Sequence, residues 1–266
     1  MKANTYNIKH ISYNNKEEYR FYNLPVAATS GSSNEKPKYI IVDGKEVNAA
    51  TGQERTYESI EHSRTSSLNR TRQKIYDYIL SNDWTDGYFI TFTFNPSLVD
   101  SFNYDDCYNR IRQLIKNIRK TNPDIQYLFI PEQHKSKRWH FHALISNCPN
   151  LNMIDTGKKA KGMKIYNINT RTFKYGYTAA TKIQDIEKLS TYMTKHITTD
   201  LIDATKGKHR YIYSNNLRLP EIRTYMVSAE DLEIEKEITL SDSRPVSVRK
   251  YKERCNTITY INIRKE

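Results

Sequence analysis

The residues best equipped for chemistry lie between Tyr127 and Ile145, where two apolar runs flank a short basic turn. His140 and His142 bracket Phe141, and side chains two apart on a strand share a face, so both imidazoles project together. If the hairpin is symmetric about Ser136, Glu132 lies across from His140 on that same face. Two imidazoles and a carboxylate converging on one sheet face form a candidate divalent-metal site. His134 has the parity of Glu132 and is an alternative third ligand. An oxygen and nitrogen donor set without thiolate suits Mg²⁺ or Mn²⁺ as readily as Zn²⁺; a divalent metal, Mg or Mn, is the expected cofactor.

A candidate nucleophile follows about fifty residues later at Tyr192, with Lys195 on a neighbouring part of the same helical face. Spacing alone carries little, since Tyr13 and Lys16 share it; the place of Tyr192 on an amphipathic helix downstream of the histidines singles it out. His196 falls on the apolar margin of that helix and reads as packed rather than catalytic. A tyrosine hydroxyl, with an ordinary pKa of about 10, is a poor nucleophile at neutral pH. A metal that polarises a phosphate, and an ammonium such as Lys195 that stabilises developing charge, would supply the help it needs. Tyrosine, metal and lysine together make a coherent phosphoryl-transfer set.

Several elements must position these groups. Tyr88 to Phe94 alternates as a buried strand, and Met163 to Ile168 reads as another. Asp105 to Lys120 is an amphipathic helix, with Tyr108, Ile111, Ile115 and Ile118 inward and Arg110, Arg112, Lys116 and Arg119 outward. Ile183 to about Thr198 is the tyrosine helix, packed through Ile186, Leu189, Met193 and Ile197. A further helix starts at Ser66 or Ser67, with Leu68, Arg72, Ile75 and Ile79 on one face. Lys158 to Lys164 reads as a basic loop punctuated by Gly157 and Gly162. A hairpin is expected at Lys38 to Val42, turning at Asp43 and Gly44 into Lys45 to Val47, and Thr257 to Ile263 alternates as a strand. The order implies an α+β fold: a central antiparallel sheet with helices packed on one face. Residues 1–65 form an N-terminal extension, 66–225 the central domain and 226–266 a C-terminal extension.

The 266 residues carry a formal charge of +12, with 37% hydrophobic residues and 21 tyrosines; the sequence pI is about 9.4 and the mean hydropathy −0.80. This balance favours a polyanionic partner, and no apolar span, lipidation signal or cleavable signal peptide is visible, so nucleic acid is preferred over a membrane. Recurrent basic clusters nominate Arg70 and Arg72, then Lys135, Lys137 and Arg138, then Lys208 and Arg210 as nucleic-acid contacts. Trp139, Tyr175 and Tyr177 are available to stack on unpaired bases. The three cysteines, Cys107, Cys148 and Cys255, are scattered and suit a reducing cytoplasm rather than a disulfide framework.

The order Phe92-Thr93-Phe94, then His140-Phe141-His142, then Tyr192 with Lys195 resembles the three motifs of the HUH-superfamily rolling-circle replication initiators. It is most similar to the small replication-associated proteins of single-stranded DNA phages and related plasmids. The likeness runs from about Leu68 to Pro220 and includes the tail after the tyrosine helix, Gly207 to Ser214 through Leu219 and Pro220. It implies a five-stranded antiparallel sheet bearing the histidines, with the tyrosine on a helix alongside. It also implies metal-dependent nicking of single-stranded origin DNA, leaving a 5′-phosphotyrosine and a free 3′-OH that primes replication. Glu132 matches the acidic or polar third ligand of such proteins. No Walker A pattern is present, since Met163 and Lys164 follow Gly157 and Gly162, so a host helicase and a DNA polymerase are the expected partners, in a bacterial host cytoplasm. Two rival readings remain: a non-catalytic DNA-binding module or repressor on the same fold, and a phosphodiesterase that uses water with Tyr192 structural. A transposase or relaxase would share the first chemistry.

Overall fold

The computed structural model describes residues 5–27, 39–43, 45–242, 245–253 and 256–265. Lys38 and Gly44, expected in the first hairpin, and Cys255 lie outside the described residues. The chain divides into two compact units, residues 1–64 with 219–266, and residues 65–218.

In the first unit, strands β1 (Thr5–Ser12) and β2 (Lys16–Ala27) form a hairpin. The expected second hairpin is β3 (Tyr39–Val42) with β4 (Lys45–Asn48). The segments that read as separate extensions share one sheet. In the order of the chain, its late elements are β12 (Glu221–Tyr225), α5 (Ala229–Asp242), β13 (Ser247–Glu253) and β14 (Asn256–Arg264). The strand order is β12-β1-β2-β14-β13, so β12, which the sequence places in the central segment, pairs with β1. The core of this sheet is small: Ile8, Phe21 and Ile261 pack with Leu232 of α5.

The second unit is built on β5 (Tyr88–Phe94), β6 (Gln126–Gln133), β7 (Trp139–Ser146), β8 (Met153–Ala160), β9 (Met163–Ile168), β10 (Gly176–Lys182) and β11 (Ile212–Tyr213). They form an antiparallel sheet in the order β11-β6-β7-β5-β10-β9-β8. The α+β class stands, with seven strands where the resemblance implies five. One added strand is the supposed basic loop: Lys158 to Ala160 continue β8, and the chain turns at Lys161 and Gly162, both at positive φ.

Register explains how the faces differ. Thr91 pairs with His142 and Thr93 with His140 across β5 and β7, and Glu132 pairs with His140 across β6 and β7. Cross-strand partners share a face, so the polar set lies on one side. The residues between them, Phe92, Phe129, Phe141 and Ala143, are fully buried on the other. Four helices accompany this sheet: α1 (Tyr57–Ser81), α2 (Tyr104–Thr121), α3 (Ile186–Lys195) and α4 (Thr199–Ala204). α2 begins at Asn103, whose side chain accepts from the backbone N–H groups of Asp105 and Asp106, a capping arrangement that satisfies orphan donors. Its Tyr104 lies 6.4 Å from Phe141 and 4.9 Å from Trp139, so it covers the aromatic face. α3 covers the histidine face, where Tyr192 lies 5.5 Å from Phe89. The helices therefore flank both faces rather than one. A sheet whose two faces both carry large apolar groups needs cover on both.

Candidate active site

β5 supplies the support for the histidines. Its Thr91 hydroxyl pairs with His142 Nδ1 at 3.1 Å, and its Thr93 hydroxyl pairs with His140 Nδ1, also at 3.1 Å. The alternating Phe-Thr pattern thus does two jobs: Phe92 and Phe94 enter the core, while the threonines fix the orientation of the imidazoles. Such partners set which ring nitrogen is left for a ligand. Gly176, at the start of β10, lets that strand close on β5, because a Cβ there would stand 2.0 Å from the Thr93 carbonyl oxygen.

Glu132 is the hub. Its Oε2 lies 2.7 Å from His142 Nε2, and its Oε1 lies 2.9 Å from His196 Nδ1. These two hydrogen bonds hold its carboxyl well below the usual carboxylate range. The rings of His142 and His196 stack at 4.3 Å. Ligand atoms of Glu132, His142 and His196 all lie within 4.8 Å of one another, a possible three-residue metal site. Neighbouring ligands of an octahedral ion sit about 3 Å apart at bond lengths of about 2.1 Å, close to the two observed separations. His196 Nε2 is buried without a partner, an unfilled valence that suits a site meant to receive something. The donor set fits a divalent cation.

His196 is the residue that sequence reasoning set aside. It lies four residues after Tyr192, so the two share a helical face, and their rings meet edge to face at 4.6 Å. That spacing was the available signal. His140 shares the face but stands outside the trio; its ring lies 5.6 Å from that of His134. Burial, and then the proximity of His134, lower its pKa.

Tyr192 is 43% exposed and lies 6.0 Å, ring to ring, from His142. Burial, and then the charge of Glu132, raise its pKa, so the phenol needs a positive neighbour before it can ionise near neutrality. Lys195 is exposed one turn further on. It lines a cleft of about 380 Å³ together with Glu132, His134, Lys135, Lys137 and His196. Two of the expected nucleic-acid contacts, Lys135 and Lys137, are therefore brought to the trio.

The other expected contacts are not gathered there. Arg138 lies over the Phe102 ring, 5.5 Å from its centroid. Arg72 donates from Nε to the Ile197 carbonyl at 2.9 Å, tying α1 to the end of the tyrosine helix. Arg70 reaches the Ser66 carbonyl, Arg210 the Ser67 hydroxyl at 2.7 Å, and Lys208 the Asp105 carboxylate at 2.6 Å. Trp139 is 3% exposed and packed on Tyr104, so it offers no stacking face, whereas Tyr177 is exposed. Among the described residues, no helix is long and apolar enough to cross a membrane.

Residues 87–201 match the family model of the replication-associated proteins of the ORF2 type. No curated protein and no solved structure matched the chain. The matched stretch runs from the threonine strand through both histidines and Glu132 to the tyrosine helix, and includes His196. On this match, with the three motifs in their order, residues 87–201 belong to the replication-associated family, and the protein is a replication initiator of that kind.

Proposed function

We propose that this protein nicks single-stranded origin DNA with Tyr192, forming a 5′-phosphotyrosine and releasing a 3′-OH for rolling-circle synthesis. The observation that carries the reading is the meeting of Tyr192 with the edge of the Glu132, His142 and His196 trio. Glu132, His142 and His196 would hold a divalent ion, Mg²⁺ or Mn²⁺, with His140 in reserve on the same face. When bound, such an ion polarises a phosphoryl oxygen. Tyr192 supplies the nucleophile: its Oη–P bond forms as the P–O3′ bond breaks, the phenolic proton is lost, and the released 3′ oxygen takes up a proton. Lys195, exposed at the cleft, offsets negative charge as the phenolate and phosphate approach. Lys135 and Lys137 hold the strand through its phosphates. Thr91 and Thr93 keep the imidazoles oriented, and Arg72 keeps the end of α3 in place. A helicase and polymerase of the host would complete replication.

The test is direct. Wild type and Tyr192→Phe are incubated with tiled single strands of the cognate replicon, in Mn²⁺ or EDTA, and assayed for a denaturation-resistant adduct. An adduct that requires both Mn²⁺ and Tyr192 is expected. Cleavage that survives Tyr192→Phe would transfer the role to water or another tyrosine, and binding without cleavage would leave a non-catalytic DNA-binding module.

A further inference from the structure

α2 carries a stripe that the candidate site does not use. Asn109, Arg112, Gln113, Lys116, Arg119 and Lys120 recur at helical spacing along one exposed line. They form one wall of a groove of about 860 Å³, whose other side includes Pro123, Tyr127 and Ile212. Tyr127 shares the sheet face of Phe129 and Phe141, since it pairs with Ile145 of β7. The groove therefore lies between α2 and the β6–β11 edge, on the face opposite His142.

Two features set this stripe apart from an ordinary solvated helix face. The acidic residues of α2, Asp105 and Asp106, both lie in the first turn; from Cys107 to Thr121 there is none. Arg112, Lys116, Arg119 and Lys120 enter no ion pair among the described residues. Arg119 and Lys120 sit in the last turn, where cations complement the helix dipole, but that effect has faded by Arg112 and Lys116. Like charges three and four apart also oppose helix formation. A cationic line that weakens its own helix is explained by a polyanion that neutralises it.

We propose that this groove binds the sugar–phosphate backbone of duplex DNA, on the side of the sheet away from the cleavage site. Arg112 to Lys120 spans about 12 Å at the helical rise, enough for several consecutive phosphates at about 3.4 Å of duplex axis each. Single-strand surfaces use exposed aromatic faces for stacking, and Tyr127, the aromatic residue of this groove, is 6% exposed. The contact is to backbone, so it positions DNA without reading its sequence. It relies on the family's role in replication and not on the chemistry of Tyr192.

The experiment uses the full chain with Arg112, Lys116, Arg119 and Lys120 all changed to Gln, and a second variant carrying Arg112→Lys and Arg119→Lys. Fluorescence anisotropy with an arbitrary 30-base-pair duplex and with a 30-nucleotide single strand is followed across salt. For the Gln variant, duplex affinity should fall about 10- to 100-fold near 0.1 M salt, and the log–log salt slope should become shallower by about 2 to 4. The Lys variant should keep most of the affinity, and both variants should melt near the wild-type temperature. Adduct formation on a short single-stranded oligonucleotide should stay within about twofold, which separates this test from that of Tyr192. Unchanged duplex affinity and slope would overturn the proposal. So would a loss confined to the single strand, or a groove that binds a polyglutamate peptide in preference to the duplex.

Discussion

His142 and Phe141 are neighbours on β7, yet they belong to two different worlds. Phe141 is fully buried in an aromatic layer with Phe94 and Tyr104, where no polar group competes. His142 is also buried, but its two nitrogens are matched by Thr91 and Glu132. The aromatic face spends its side chains on hydrophobic burial, worth about 1.5–3 kcal/mol for each large residue. The polar face instead holds an ordered set of hydrogen-bonding groups, satisfied enough to stay buried and incomplete at His196 Nε2. A strand that alternates between core and chemistry gives the site a rigid floor, which loops would not.

This contrast can be broken or sharpened by substitution. The largest effect belongs to Tyr192→Phe: adduct formation should fall by roughly 10³-fold or more, while stability changes by no more than about 0.5 kcal/mol. A melting temperature that collapsed with the activity would mean the two faces are not separable. Phe141→Ala should do the reverse, costing about 3–5 kcal/mol in denaturant unfolding, with Mn²⁺ binding by the remaining folded protein retained.

Glu132→Gln probes the hub through pH. Because its carboxyl is held below the ordinary value of about 4.3, its charged form stabilises the fold above that value. That contribution drains away as pH falls toward the folded-state pKa. The wild-type advantage in melting temperature over Glu132→Gln should therefore be present at pH 5 and shrink below about pH 4. An advantage that does not change in acid would remove Glu132 from the centre of the polar face. Thr91→Val, which leaves His142 in place without its Nδ1 partner, should weaken Mn²⁺ binding about tenfold by calorimetry. The smallest effect is expected at Cys107, whose thiol burial pushes up to about 12. It should resist iodoacetamide at pH 8 in the folded protein, and ready labelling would mean that α2 opens from the aromatic face.

Much of this arrangement was legible from local pattern. The hairpin register about Ser136 places Glu132 opposite His140, as the alternation of apolar residues demands. The inward faces of α2 and α3 also follow from period: Ile111, Ile115 and Ile118, and Met193 and Ile197, are all buried. The polar first segment was harder. β1 and β2 bury single residues such as Ile8, Ile11 and Phe21 among Tyr, Asn and Glu, so their alternation is faint. Their partners, β12 and β14, lie some two hundred residues away.

The sequence by itself determined which side chains share a strand or helix face, because backbone geometry repeats every two residues or every 3.6. That was sufficient to bring His140, His142 and Glu132 to one face and to set Tyr192 on an amphipathic helix. Only the tertiary structure decided which of those groups meet. Docking of α3 across the sheet puts His196, rather than His140, on Glu132, and the reach of Arg72 to Ile197 turns an expected DNA contact into a brace. Both depend on how two elements pack at a distance in the chain, and side-chain contacts of that kind leave no period in the sequence to read.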